Sequence, residues 1–433
     1  MKAKIRANYH WLIVLIVLVE MLIYGGVTNN LNAMYIIPVT EALEASRSGF
    51  SLAMTMKSLT AFACGIVSSV LFLHFGFRML AALGLVGGAL SLLLMSGSNS
   101  LLGIGLGAAL LGICESFYST VGVTRIVGDW FHRYRGMVLG VVTAATGLGG
   151  SLFCMIQSQM IQNRGWRFSY RFSTVLLLLV AVLLFLLIRN RPDQMGLRPF
   201  GEGLLPVKQR HRAGMSDDNW PGFNLPQLIK MPTFYLMLVC GFVSSVSMYL
   251  AFYVIVPHMQ DCGLTADQAA TMQSTMLLVL AAAKLLVGSL SDVVGGKGVT
   301  LLCTACAVVS LWLLTRVTDV TSGILAVVVF SMCLPQTTIT IPLLTSSLFG
   351  YRAHDTAMSI FLSMISVGAM VASPICNLAY DLLGSYNPVF LVASGLALAS
   401  MILHIVLFRL AGRDKKKWYE AKAQRKAQAE NPA

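Results

Sequence analysis

The sequence predicts an all-α membrane protein with twelve transmembrane helices in two pseudo-symmetric six-helix bundles. Composition is the first reason. Of 433 residues, 56% are hydrophobic and only 11% charged, with a mean hydropathy of +0.75, whereas about a quarter of a soluble chain is charged. Continuous apolar runs are the second, because about 20 such residues span a bilayer as a helix and barrels use short alternating strands. Self-similarity is the third. A shift of about 219 residues carries Pro38 onto Pro257, Gly76 onto Gly295, Arg78 onto Lys297, Cys114 onto Cys333 and Gly165 onto Gly384.

The predicted spans are Trp11–Tyr35, Ser51–Leu73, Met79–Met95, Leu101–Val127, Met137–Met160 and Phe172–Ile188 in the first half. Those of the second are Thr233–Val256, Ala269–Leu290, Val299–Leu314, Ser322–Thr345, Thr356–Tyr380 and Val389–Phe408. Each must be helical, because the hydrocarbon offers no partner for a free peptide group. The first span follows Lys2, Lys4 and Arg6 but lacks a small-residue cleavage site and contains Glu20, so it reads as a retained helix. Residues 1–189 form the first bundle and 232–409 the second. A cytoplasmic linker, 190–231, and a basic cytoplasmic tail, 410–433, complete the chain. The end of the linker, Pro221 to Lys230, reads as a short amphipathic helix on the membrane surface.

The net charge of +13 is topological. Most of the 31 lysines and arginines fall on the side of the two termini, the bias that places those loops in the cytoplasm of a cell (inner or plasma) membrane. No nucleic-acid partner is needed to explain it. Only Cys262 of the nine cysteines lies clearly in a loop, so free thiols are expected. Cys303 and Cys306 make a CxxC inside an apolar helix without a second pair, and read as small packing residues. No nucleophile–base pairing, phosphate loop or metal cluster appears, so neither an enzyme nor a cofactor is expected.

Two motifs narrow the family. After the eighth span, Gly288, Asp292, Gly295 and Lys297 match G-x-x-x-D-x-x-G-x-[RK], the loop signature of the major facilitator superfamily. Its glycines permit the turn, while its acid can cap a helix and pair with a neighbouring base. The equivalent loop of the first half keeps Gly76 and Arg78 but has Leu73 in the acid's place. At the fifth span, Asp129, Trp130, Phe131, His132, Arg133 and Arg135 precede Gly136, Gly140, Ala144, Gly147 and Gly150. This resembles the monocarboxylate and oxalate/formate-type transporters, as do Gly165-Trp166-Arg167 and the stretch from Arg191 through Gly196 to Pro199. The resemblance implies the major facilitator fold and alternating access around a midplane site. It also implies a small-molecule cargo, a bilayer and no cofactor, with a monomer expected.

Charges inside the spans locate mechanism, since each costs about 2.5–3.5 kcal/mol at a helix centre on insertion scales. They are Glu20, Lys57, Glu115, Arg125 and Lys284. Lys284 lies four residues before Gly288, where the monocarboxylate transporters carry a substrate-binding arginine. The resemblance therefore implies that Lys284 anchors an organic anion, with less geometric selectivity than a guanidinium; the alternative is an ion pair with Glu20 or Glu115. Those relatives carry a proton-relaying aspartate where this chain has Leu280, which leaves Glu20 and Glu115 as the acids for proton coupling. The eleventh span has no lysine like that of the oxalate/formate exchangers, which favours monocarboxylates over dicarboxylates. Asn30, Tyr118, Ser119, Tyr249, Tyr253 and Gln336 are placed to complete the site. Arg78, Arg125, Asp129, Arg133, Asp292 and Lys297 are the gating candidates, with Arg125 paired to Asp129. His404 is expected against lipid or a neighbour, without a role. The function expected is secondary transport of a small organic anion, a monocarboxylate such as pyruvate, lactate or formate foremost, with proton symport as one way of coupling it. Carboxylate antiport, efflux of drugs or larger amphipathic acids through a wide cavity of aromatics and methionines, and a non-transporting membrane sensor are the rivals.

Overall fold

A turn written in one dihedral angle organises each half. The computed structural model describes residues 9–30, 32–131, 134–201, 222–350 and 352–430. The helix Arg47–Gly97 bends back on itself at Gly76 (φ 74°, ψ 163°), and Ala266–Leu314 does so at Gly295 (φ 77°, ψ 162°). Positive φ costs glycine nothing and any other residue strain, so the repeat inferred from the two glycines reappears as the same backbone geometry. Each long helix thus supplies two spans, the second and third or the eighth and ninth. Eleven helices among the described residues are long and apolar enough to cross a bilayer, beginning with Tyr9–Ala42. The twelfth crossing is the first arm of Arg47–Gly97, residues 47–75.

The spans outrun their apolar cores because polar caps extend them. Ser46 accepts from the Gly49 N–H, Thr265 and Gln268 form a capping box, and Asp319 caps the tenth span through Ser322. The last helix, Asn387–Glu430, continues through the basic segment expected as a tail. The amphipathic helix expected before the seventh span is shorter, Leu225–Leu228, and is docked rather than lying free on a surface. Leu228 is fully buried and the Phe223 N–H donates to the Phe349 carbonyl at the end of the tenth span, 3.1 Å. Pro221 lies outside the described residues.

Within the first half, spans one and five touch backbone to backbone. A Cβ on Gly149 would sit 1.9 Å from the Leu22 carbonyl oxygen, and one on Gly25 2.2 Å from that of Thr146. Small residues allow this approach, which replaces the hydrophobic drive that lipid cannot supply. Tyr35 closes the same bundle. Its hydroxyl donates to Gln157 (2.9 Å) and bonds Ser169 (2.8 Å), while its ring stacks on Tyr170 at 4.2 Å.

The halves meet through spans two and eleven and spans five and eight. At the end remote from the termini they are clamped by charge. Arg47 reaches Asp261 with both guanidinium nitrogens (2.6 and 2.9 Å), bonds the Tyr386 hydroxyl and lies 3.9 Å over the Tyr380 ring. The backbone N–H groups of Arg47 and Ser48 donate to Asp381. Asn377 donates to Ser51 and accepts from Tyr386, and Gln162 donates to Asp267 at 2.7 Å. The nine cysteines are free thiols.

Candidate functional site

Four helices lose their regularity where they approach the middle of the bundle. The first span runs through a π-helical turn, Tyr24–Asn29, before resuming at Asn32. The fourth breaks at Ser119, whose extended backbone separates Leu101–Tyr118 from Thr120–Trp130. The seventh stops at Phe252 and restarts at Ile255, and the tenth has a π-helical turn over Gln336–Thr340. These are the first and fourth spans of each half. Irregular backbone at such depth is tolerated where it lines a cavity or is buried in protein.

Lys284 lines a cavity of about 170 Å³ between the halves, with Asn29 and Asn30 from the first span and Thr146 and Gly147 from the fifth. Tyr249 and Tyr253 come from the seventh span, Leu280 from the eighth, and Thr337 and Thr338 from the tenth. No hydrogen bond or ion pair reaches the Lys284 ammonium among the described residues, and the pairing with Glu20 or Glu115 considered from sequence is absent. Around it the polar groups are held. Asn30 donates to the Thr146 carbonyl and accepts at its own carbonyl from Gln273 of the other half, both at 3.2 Å. Tyr249 and Tyr253 stack at 5.4 Å between centroids. One cation faces a cavity lined by amides, hydroxyls and ring edges, which suits a small anion.

Glu115 is engaged elsewhere. Its Oε2 lies 2.9 Å from the Lys57 ammonium, off the line a hydrogen bond needs, and both side chains are 7% exposed. Lys57 also donates to the Thr28 carbonyl where the first span is π-helical. The pair lines a second cavity, about 170 Å³, between spans two and eleven, and Glu115 lines a third of about 440 Å³ that extends past Ser119 towards the terminal end. Tyr253 lines all three.

The structure thus brings Lys284, Asn30, Tyr249 and Tyr253 together, with Ser119 and Glu115 in the adjoining cavity. Tyr118 and Gln336 line none of these three cavities. The Tyr118 ring is enclosed over Gly84 and Gly88, and Gln336 is buried with its amide 3.4 Å from Ser244. Glu20 is fully enclosed and neither carboxyl oxygen has a hydrogen-bond partner. Among the gating candidates, Arg78 donates to the Phe185 carbonyl at 2.6 Å and covers the Phe185 ring, while Lys297 lies 5.8 Å over Phe408. Arg125 does not pair with Asp129, since no ion pair reaches its guanidinium among the described residues. A base four residues before an acid is the weaker helical orientation. Arg133 and the side chain of Asp292 lie outside the described residues. His404 faces inward rather than to lipid: it is 2% exposed, with Nδ1 2.8 Å from the Ser400 carbonyl one turn back.

Sequence reasoning missed Thr337 and Thr338, although three threonines within residues 336–340 of an apolar span were a visible signal. It also missed the Arg47 clamp, because loop-end charges read as ordinary caps until their partners more than 200 residues away are known.

Fold and site together define a polytopic membrane protein with an interior cavity between two related bundles. The family model of the Major Facilitator Superfamily matches residues 16–255 and 237–430, and the chain belongs to that superfamily. It is 25% identical over 223 residues to the membrane sensor protein UhpC of Salmonella typhimurium, covering 50% of this chain and 48% of that one. It is 28% identical over 127 residues to monocarboxylate transporter 6 of Mus musculus, covering 29% and 26%. The crystal structure of the nucleoside transporter NupG superposes with a TM-score of 0.71 at 10% identity, covering 93% and 99%. The chain spans about half to two thirds of the length of several curated relatives it matches.

Proposed function

We propose that this protein is a secondary transporter that moves a small organic anion, a monocarboxylate foremost, across the cell membrane by alternating access. The observation that carries the reading is the unpaired Lys284 ammonium in a cavity between the bundles. A carboxylate arriving there supplies the counter-charge the protein withholds, with Asn30, Tyr249 and Tyr253 orienting its polar and apolar parts. The similarity to a monocarboxylate transporter supports the cargo class. With both termini cytoplasmic, the Arg47 clamp is the outer seal, the larger cavity leads inward and the conformation is inward-facing. Outward opening then requires that clamp to break, with Arg78, Arg125, Asp129, Arg133, Asp292 and Lys297 gating the inner side.

Proton symport would offset the electrical work of about 2.3 kcal/mol per charge per 100 mV that a lone anion must do. Glu115, beside the cavities, and Glu20, enclosed nearby, are the acids proposed to carry the proton. Exchange of carboxylates uses the same site without them. A second reading, a membrane sensor that binds its ligand without moving it, is favoured by the match to UhpC.

Uptake of labelled lactate into proteoliposomes at about pH 6 and pH 8, for wild type and Lys284→Ala, tests the proposal. Uptake by wild type and its loss in the variant are expected. Unchanged uptake in a folded Lys284→Ala protein overturns the anchor, while binding without uptake by wild type favours the sensor.

A further inference from the structure

We infer that the Lys57–Glu115 pair is a proton-gated second anion subsite, and that the site accepts a dianion when Glu115 is neutral. The inference rests on Lys284 as the first anchor. A buried ion pair is poor evidence of stabilisation, because apolar residues of similar volume serve the packing as well or better. This pair is also not sealed into packing, since both partners line the cavity between the halves. It is held in place on the protein side. A Cβ on Gly112 would meet the Lys57 carbonyl oxygen at 2.0 Å, so spans two and four cannot approach further, and the ammonium has a bond to the Thr28 carbonyl that does not involve Glu115.

Charge completes the argument. With Glu115 ionised, the pair sums to zero and Lys284 alone attracts an anion. A proton taken from solution onto a Glu115 carboxylate oxygen removes the negative partner and leaves Lys57 as a second cation. The groups around Glu115 are Lys57, the phenols of Tyr24, Tyr118 and Tyr253, and Glu20 beyond Tyr118. Span eleven contributes only Ala369, Met370 and Ser373 to the Lys57 cavity. None of these except Lys57 is a cation, so no other side chain there takes over as the second anchor. Asn29 and Tyr253 line both lysine cavities, so these two side chains form the wall that a molecule held by both lysines must displace. One proton enters with each dianion, and its loss from Glu115 re-forms the pair on release.

Equilibrium binding of sulfoacetate and acetate to the purified full-length protein, at about pH 6 and pH 8, tests this. Both of the probe's acid groups stay ionised throughout that range, so its own charge does not change. Wild type is expected to bind sulfoacetate at least tenfold more tightly at the lower pH, by linkage of one proton to binding, and acetate without that dependence. Glu115→Gln should bind sulfoacetate tightly at both values, and Lys57→Met weakly at both. A flat wild-type profile, no sulfoacetate binding by wild type, or an unchanged pH dependence in Glu115→Gln overturns the inference. Glu115→Gln decides alone if Lys57→Met does not fold. Lys284→Ala separates the two readings: if acetate binding survives it, the anchor reading fails, while the sulfoacetate profiles of wild type and Glu115→Gln still judge the subsite.

Discussion

Replacing Arg47 by alanine should loosen the remote end without unfolding either bundle. The guanidinium makes two bonds to Asp261 and one to Tyr386 and covers the Tyr380 ring. Charged hydrogen bonds contribute about 1.5–3 kcal/mol and an exposed cation–π contact about 0.5–1. The Arg47 and Asp261 side chains are 15% and 25% exposed, so water already screens part of this and a net of about 2 kcal/mol is a fair figure. The backbone bonds from Arg47 and Ser48 to Asp381 survive the change. At about 1.4 kcal/mol per tenfold, the ratio of opened to sealed molecules rises about 30-fold, so a one-in-a-hundred state becomes about one in four. Spin labels on unnatural side chains at Ala42 and Thr318, both exposed at that end, would report the change as a longer distance in pulsed EPR. A distance distribution identical to wild type would refute the clamp, and Arg47→Asp combined with Asp261→Arg should restore the short distance.

Two stability predictions follow from the packing. Gly149→Ala forces a carbon into the Leu22 carbonyl, so spans one and five must separate at a cost of about 1–3 kcal/mol; thermal unfolding in detergent should show a clearly lowered midpoint, and an unchanged one would mean the spans are not in backbone contact. Tyr35→Phe keeps the stack on Tyr170 but strips Gln157 and Ser169 of a buried partner, which costs about 1–3 kcal/mol. Tyr35→Phe with Gln157→Leu should recover part of that loss in the same measurement.

The fold was legible because membrane spans are written in composition and length, and because the duplication left paired glycines at its turns. Lys284 was legible for a related reason, since a charge stands out in an apolar run. What stayed hidden was which way side chains point. Tyr118 and Tyr253 look alike in sequence, yet one ring is enclosed against glycines and the other borders three cavities. Likewise Glu115 could have met Lys57 or Lys284, and only the close passage of spans two and four at Gly112 selects Lys57. Gly25 and Gly26 in the turn Tyr24–Asn29 and Pro335 before Gln336–Thr340 signal a break in the helix, but neither residue type says that the break is π-helical.

The matched backbone angles at Gly76 and Gly295 separate shape from switching. A hairpin made by an achiral residue at positive φ needs no charged neighbour, and the first copy doubles back with Leu73 where the second has Asp292. Tolerance of that kind lets a duplicated scaffold diverge in sequence at one bend while both bends keep the same shape.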